Sequence, residues 1–419
     1  MSKKKTYAPE SLMMSHGYRP EWSEGSIKSP IFQTSTFVFK TAEEGKAFFD
    51  VAYGKRPKKE GEEPGLIYSR INNPDLEILE NRLCLWDRAE EAAVFSSGMS
   101  AITTVFMEYL SPGDVLLYST PIYGGSHHFI NHVLSRLGIH ALSFDAHSSK
   151  EDVQAMLDRE IPQRHLKMIY IETPANPVNA LVDIQMCAEL AQTYAPPEDK
   201  TILAVDNTYM GPLWQRPLEH GADLVIYSAT KYIGGHSDLI AGAVSGRHVD
   251  MARVKAMRTF LGNMCSPQTS WLMMRSLETL KVRMEQQQKN AVQLAAFLQA
   301  HPKVTKVHYL GLLQDQADAA QYRIFEKQCL GTGAMISFEV KGGEKEAFTV
   351  LNNLNLVQLA VSLGSTESLA EHPATMTHTD IPDEEKLASG ITESLIRLSV
   401  GVERAEDLID DLEQALSLI

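Results

Sequence analysis

The chain has 419 residues, 44% hydrophobic and 22% charged, with a formal net charge of −14. That length exceeds one ordinary core and predicts about two or three domains. The acidic balance argues against a nucleic-acid or anionic-membrane partner. The four cysteines, Cys84, Cys187, Cys265 and Cys329, are far apart and form no CxxC pair. This predicts reduced thiols, no metal site and a cytoplasmic protein. No apolar run approaches the ~18 residues that cross a bilayer. Met1-Ser2-Lys3-Lys4-Lys5 leads into no apolar signal core.

In chain order, residues 1–65 read as irregular, with one helix from Thr41 to Ala52. The stretch 54–65 is dense in charge, glycine and proline and predicts an exposed loop. Asn73-Pro74 is a helix start, with Leu76, Leu79, Leu83 and Trp86 recurring on one face. A strand from Glu91 to Ser96 then leads into a helix from Gly98 to Leu110. Further strands are predicted at 115–119, 166–172, 202–206, 223–228 and 239–245. Strands alternating with helices over about 170 residues imply a mainly parallel sheet covered on both faces. A long helical stretch from Ser266 to Ala300 leaves this unit. Strands at 334–340, 357–361 and 395–400, with helices at 344–354 and 403–418, form a second, smaller α/β unit. The expected division is 1–65 as an N-terminal arm, 66–265 as the large domain, and 266–419 as connecting helix and small domain.

Ligands of such sheets sit beyond the carboxyl ends of the strands. Lys231 lies there, in Ser228-Ala229-Thr230-Lys231-Tyr232-Ile233-Gly234-Gly235, directly after an apolar strand. Asp206 ends another apolar run, and Thr208 follows it. Ser97-Gly98-Met99 stands at a strand-to-helix junction: a tight turn, or a cradle where free N–H groups and the positive helix end favour an anion. Amine, carboxylate and hydroxyls at adjacent strand ends point to pyridoxal 5'-phosphate. Lys231 would hold it as a Schiff base, Asp206 would pair with its ring nitrogen, and Ser228 and Thr230 would take its phosphate. Tyr123, between a strand and a helix, is either a ring-stacking residue or ordinary core. Arg397 is either a surface ion pair or a fork for a carboxylate.

Several separated strings stand out together: Tyr68-Ser69-Arg70, Ser97-Gly98-Met99, Tyr123-Gly124, 172–177, Val205-Asp206-Asn207-Thr208, 228–236, Ser362-Leu363-Gly364, 372–378 and 397–403. With these strings the chain resembles the transsulfuration family of pyridoxal-phosphate enzymes, which includes cystathionine γ-synthase, cystathionine lyases, methionine γ-lyase and O-acylhomoserine sulfhydrylase. The resemblance runs from about His16 to the C-terminus. It implies a fold type I α/β enzyme, with a large domain built on a seven-stranded-type, mainly parallel sheet and a smaller C-terminal α/β domain. It implies that Lys231 shuttles protons after carrying the cofactor, and that Tyr123 stacks on the ring and assists the γ-leaving group. Gly98, Met99, Thr208, Ser228 and Thr230 join the cofactor site. Tyr68 and Arg70 reach the phosphate of a neighbouring subunit, so the catalytic unit is a dimer, with dimers pairing into a homotetramer. Arg397 holds the substrate α-carboxylate, with Asn176 and Ser362 helping.

The resemblance also implies γ-elimination or γ-replacement on sulfur-containing or O-acylated homoserine-type amino acids, with cystathionine γ-synthase or a cystathionine γ/β-lyase as the alternative and aminotransfer as a same-fold rival. Two positions depart from family habit. Val361 stands where members that handle cystathionine carry an acid, so it favours a short or apolar side chain. Gly125 stands where methionine γ-lyases carry a cysteine, which argues against the strict methionine γ-lyase pattern. The 54–65 loop is expected to border the neighbour's active-site mouth.

Overall fold

The computed structural model describes residues 7–57, 59, 65–161, 166–315 and 318–419. Residues 58 and 60–64, the middle of the expected 54–65 loop, lie outside the described residues.

Seven strands form the larger sheet: β1 Glu91–Phe95, β2 Val115–Thr120, β3 His140–Asp145, β4 Leu166–Glu172, β5 Ile202–Asp206, β6 Leu224–Tyr227 and β7 Gly242–Gly246. Their order is β1-β7-β6-β5-β4-β2-β3. β3, β2, β4, β5 and β6 run parallel. β7 is antiparallel to both β6 and β1. The sheet is therefore mainly parallel, as expected, with a reversed strand near one edge.

The central strands are apolar over most of their length because helices cover both faces. In β4, Met168 and Tyr170 pack with Val105 and Phe106 of the Gly98–Tyr109 helix. The alternate residues Ile169 and Ile171 pack with Ile184 and Leu190 of the Ile184–Thr193 helix. This is the period-2 alternation of a strand buried on both sides.

The smaller sheet holds β8 Val304–His308, β9 Met335–Val340, β10 Gln358–Leu359, β11 Leu369–Glu371 and β12 Leu395–Ser399. Their order is β10-β11-β12-β9-β8. β3, β8 and β11 were not predicted: the burial patterns of β3 and β8 are mixed, so they show no clean apolar signal, and β11 is only 3 residues long. The strand predicted at 357–361 shrinks to two residues, because the chain turns there toward the site.

The long stretch 266–300 is two helices, Pro267–Leu277 and Leu280–Ala300. The break leaves the Ser276 carbonyl accepting from Arg283 Nη2 at 3.0 Å and Thr279 Oγ1 at 3.2 Å. Arg283 Nη1 also donates to the Tyr232 carbonyl at 2.8 Å. The break thus seats a buried arginine beneath the 228–236 turn, a tertiary demand that helical periodicity does not encode.

Candidate active site

β6 ends at Tyr227, and the chain turns tightly into Lys231. The Lys231 amide donates to the Ser228 carbonyl at 3.1 Å, and Gly235 N donates back to the Lys231 carbonyl at 2.7 Å. Gly235 has φ +68, and a Cβ there would lie 1.9 Å from Arg283 Nη1. Glycine is required on both counts. Lys231 Nζ donates to Ser362 Oγ at 2.8 Å. Ser362 itself has φ +94, a strained value for a residue with a side chain. Burial, then the positive charge of Arg397, push the Lys231 amine down to about 8, with Glu371 opposing.

Asp206 ends β5 and is paired in register with Glu172 at the end of β4. Asp206 accepts from Thr208 N at 3.0 Å, Thr208 Oγ1 at 2.6 Å and the Tyr170 hydroxyl at 3.3 Å. Thr208 Oγ1 also accepts from Ser228 N at 2.9 Å, so it ties the aspartate to the lysine turn. Burial pushes Asp206 up, and these bonds pull it back. Burial, then Asp206, push Glu172 up to about 8. Glu172 accepts from the amides of Tyr123 and Asn176, each at 2.8 Å. It therefore ties the Tyr123 and Asn176 backbones, both of which line the cavity, to one carboxylate.

Ser97 caps the Gly98–Tyr109 helix through a reciprocal pair of bonds with Ser100. A Cβ on Gly98 would lie 2.8 Å from the Ser228 side chain, so glycine keeps this helix end open. Thr230 Oγ1 donates to the Ala241 carbonyl at 3.2 Å and accepts from its amide at 3.0 Å. Tyr123 precedes the Gly124–Phe129 helix and is 44% exposed. Its ring occupies the space above Gly125, where a Cβ would lie 2.6 Å from a ring carbon.

Arg397 on β12 is 3% exposed. Its Nη1 donates to Asn176 Oδ1 at 3.0 Å and pairs with Glu371 Oε1 at 2.7 Å. Its Nη2 donates to the Ser362 carbonyl at 2.8 Å. The Tyr209 hydroxyl also bonds Asn176 Oδ1. Val361 is 53% exposed at the mouth.

All of the predicted site residues except Tyr68 and Arg70 line one cavity of about 300 Å³. Tyr68 is exposed, and Arg70 Nη1 donates to the Thr259 carbonyl at 2.8 Å. Tyr209 and Thr377 also line the cavity, and Glu371 backs it. Sequence reasoning did not single out these three. Glu371 was detectable as a lone acid next to His372-Pro373; Tyr209 and Thr377 carried no separate signal. Among the described residues, no cluster of His, Cys, Asp or Glu is arranged to hold a metal ion.

The donor set fits the cofactor. An amine, a buried strand-end carboxylate and an open helix N-terminus face one cavity, and the Gly98–Ser228 contact leaves that terminus clear of side chains. Fold and site together define a pyridoxal-phosphate-dependent α/β enzyme. The chain belongs to the Cys/Met metabolism PLP-dependent enzyme family, whose model matches residues 10–417. It is 41% identical over 397 residues to the L-methionine gamma-lyase of Fusobacterium nucleatum, covering 94% of each chain. It is 38% identical to the cystathionine gamma-lyase of Bacillus subtilis, covering 98% of this chain and 99% of that one. Among solved structures, cystathionine gamma synthase from Xanthomonas oryzae pv. oryzae in complex with cystathionine superposes with a TM-score of 0.86 at 32% identity. It covers 99% of this chain and 98% of that one.

Proposed function

We propose that this enzyme catalyses γ-elimination of methionine-type amino acids, releasing a thiol, 2-oxobutanoate and ammonia, with γ-replacement on O-acylhomoserines as its companion activity. The observation that carries this reading is the composition of the cavity: Lys231, Asp206, Tyr123 and Arg397 surround it, and apolar Val361 stands at its mouth. When bound, pyridoxal phosphate supplies the electron sink for charge left on the substrate carbons.

The chain's own residues do the rest. Arg397 and Asn176 hold the α-carboxylate and fix the Cα–H direction. Lys231 has an amine low enough to exist partly neutral near pH 8; it takes the proton at Cα and moves one at Cβ. Ser362 holds that amine in place. The Tyr123 hydroxyl supplies a proton to the leaving sulfur. Asp206, held by Thr208, keeps the cofactor ring nitrogen protonated.

Gly98, Met99, Ser228 and Thr230 receive the phosphate with amides and hydroxyls. The cations lining the cavity, Lys231 and Arg397, are both assigned to other groups. Among the described residues no further cation lines the cavity, so Tyr68 and Arg70 of a neighbouring copy supply the phosphate with contact and charge. This makes the unit at least a dimer, with residues 1–65 as the arm against the neighbour, 66–265 as the cofactor domain and 266–419 as the small domain. Pairing of dimers into a tetramer is part of the same proposal.

Val361 carries no charge to pair with a distal amino group, which favours methionine over cystathionine. The test is a substrate panel with methionine, cystathionine and O-acetylhomoserine, the last with and without sulfide. Production of 2-oxobutanoate from methionine, at higher kcat/KM than from cystathionine, is expected. Keto acid that appears only with a second keto-acid acceptor would establish transamination instead.

A further inference from the structure

Glu371 is fully buried, with no exposed surface. The antiparallel pairing of β11 with β12 places it directly opposite Arg397. Its Oε1 sits 2.7 Å from Arg397 Nη1 and accepts from Thr377 Oγ1 at 2.9 Å. Its Oε2, like Arg397 Nε, is buried with no hydrogen-bond partner among the described residues. The guanidinium is thus held by three acceptors, Glu371 and Asn176 at Nη1 and the Ser362 carbonyl at Nη2.

We propose that Glu371 is a positioning residue that presets the plane of Arg397 and lowers its affinity for the substrate α-carboxylate. The inference rests on the reading of Arg397 as the carboxylate ligand. A buried guanidinium without a counterion is costly, so the empty site needs an internal anion. A substrate carboxylate then meets a cation that is already half-neutralised. Two carboxylates share one guanidinium, and part of the Coulombic gain is lost. Binding is weaker, but the fork is already oriented when the substrate arrives, which favours turnover over ground-state affinity.

Glu371→Gln removes the charge and keeps an oxygen acceptor toward Nη1. The cofactor-loaded enzyme would be titrated with norleucine, which has the α-carboxylate and no γ-leaving group, and with its α-carboxamide. The expected result is norleucine binding roughly three- to tenfold tighter in the variant, with carboxamide binding unchanged. KM for methionine falls in parallel, and kcat falls by no more than about threefold. Unchanged or weaker norleucine binding together with a lost kcat would overturn the proposal and leave Glu371 a structural residue. Equal tightening toward the carboxamide would overturn it too. If the variant does not fold, Glu371→Asp decides: it keeps the charge and shifts the fork, so kcat falls and norleucine binding does not tighten. Tightening there would sink the idea. The underlying reading fails separately, if norleucine binds wild type and Arg397→Lys equally well.

Discussion

At the scale of single residues, the site depends on two positions where backbone and side chain conflict. Ser362 takes φ +94 to present its hydroxyl to Lys231. Such strain costs about 1–3 kcal/mol. Ser362→Gly should therefore raise the melting temperature while lowering kcat, and thermal unfolding measured beside initial rates checks both. A variant less stable than wild type would refute the strain. Gly125 is the second position: Gly125→Cys needs the Tyr123 ring to move off its present place. The expected outcome is a changed ratio of kcat/KM between methionine and cystathionine, with the Lys231-dependent cofactor absorbance unchanged.

Glu172 gives a pH test. Its carboxyl is held at about 8 against an ordinary 4.5, by burial and by Asp206. The native state binds more protons than the unfolded chain in that window, so stability declines as pH rises from 4.5 to about 8. In the cofactor-free protein, the stability of wild type relative to Glu172→Gln should fall between pH 5 and pH 8. A difference independent of pH would remove the explanation.

At the scale of elements, the break between the Pro267–Leu277 and Leu280–Ala300 helices supports the lysine turn. Arg283 reaches from the second helix to Gly235 and the Tyr232 carbonyl. Gly235→Ala places a Cβ on that guanidinium and at a positive φ. It should cost about 2–4 kcal/mol and loosen Lys231. Chemical denaturation and cofactor occupancy report the two effects. The sequence marked Gly234-Gly235 as special through its place after Lys231. The reason for the second glycine lies some fifty residues away, in a helix whose periodicity ran unbroken on paper. The same holds for Glu371: an acid between apolar residues and His372 was visible, but its partner Arg397 was fixed by strand pairing.

At the scale of the whole molecule, Lys231 and Arg397 are the cations lining the cavity among the described residues, and the proposed function assigns both to groups other than the phosphate. Arg70→Ala and Lys231→Ala subunits should each be inactive alone. Mixed and reassembled, half of the dimers carry one intact site, so about a quarter of wild-type activity returns. No recovery on mixing would place Arg70 outside the neighbour's site.

The sequence alone determined the chemistry of the site. Lysine, aspartate and the glycine-opened helix start lie within short strings at strand ends, and local periodicity locates those ends. It also determined the mainly parallel sheet, because largely apolar strand runs alternate with helical segments along the chain. Only the tertiary structure decided what supports these groups. Glu172 on the Tyr123 amide, Arg283 on the Tyr232 carbonyl, and Glu371 behind Arg397 are contacts between residues 49 to 51 positions apart or across paired strands. Such contacts follow from strand register and helix packing, which no local pattern of hydrophobicity specifies.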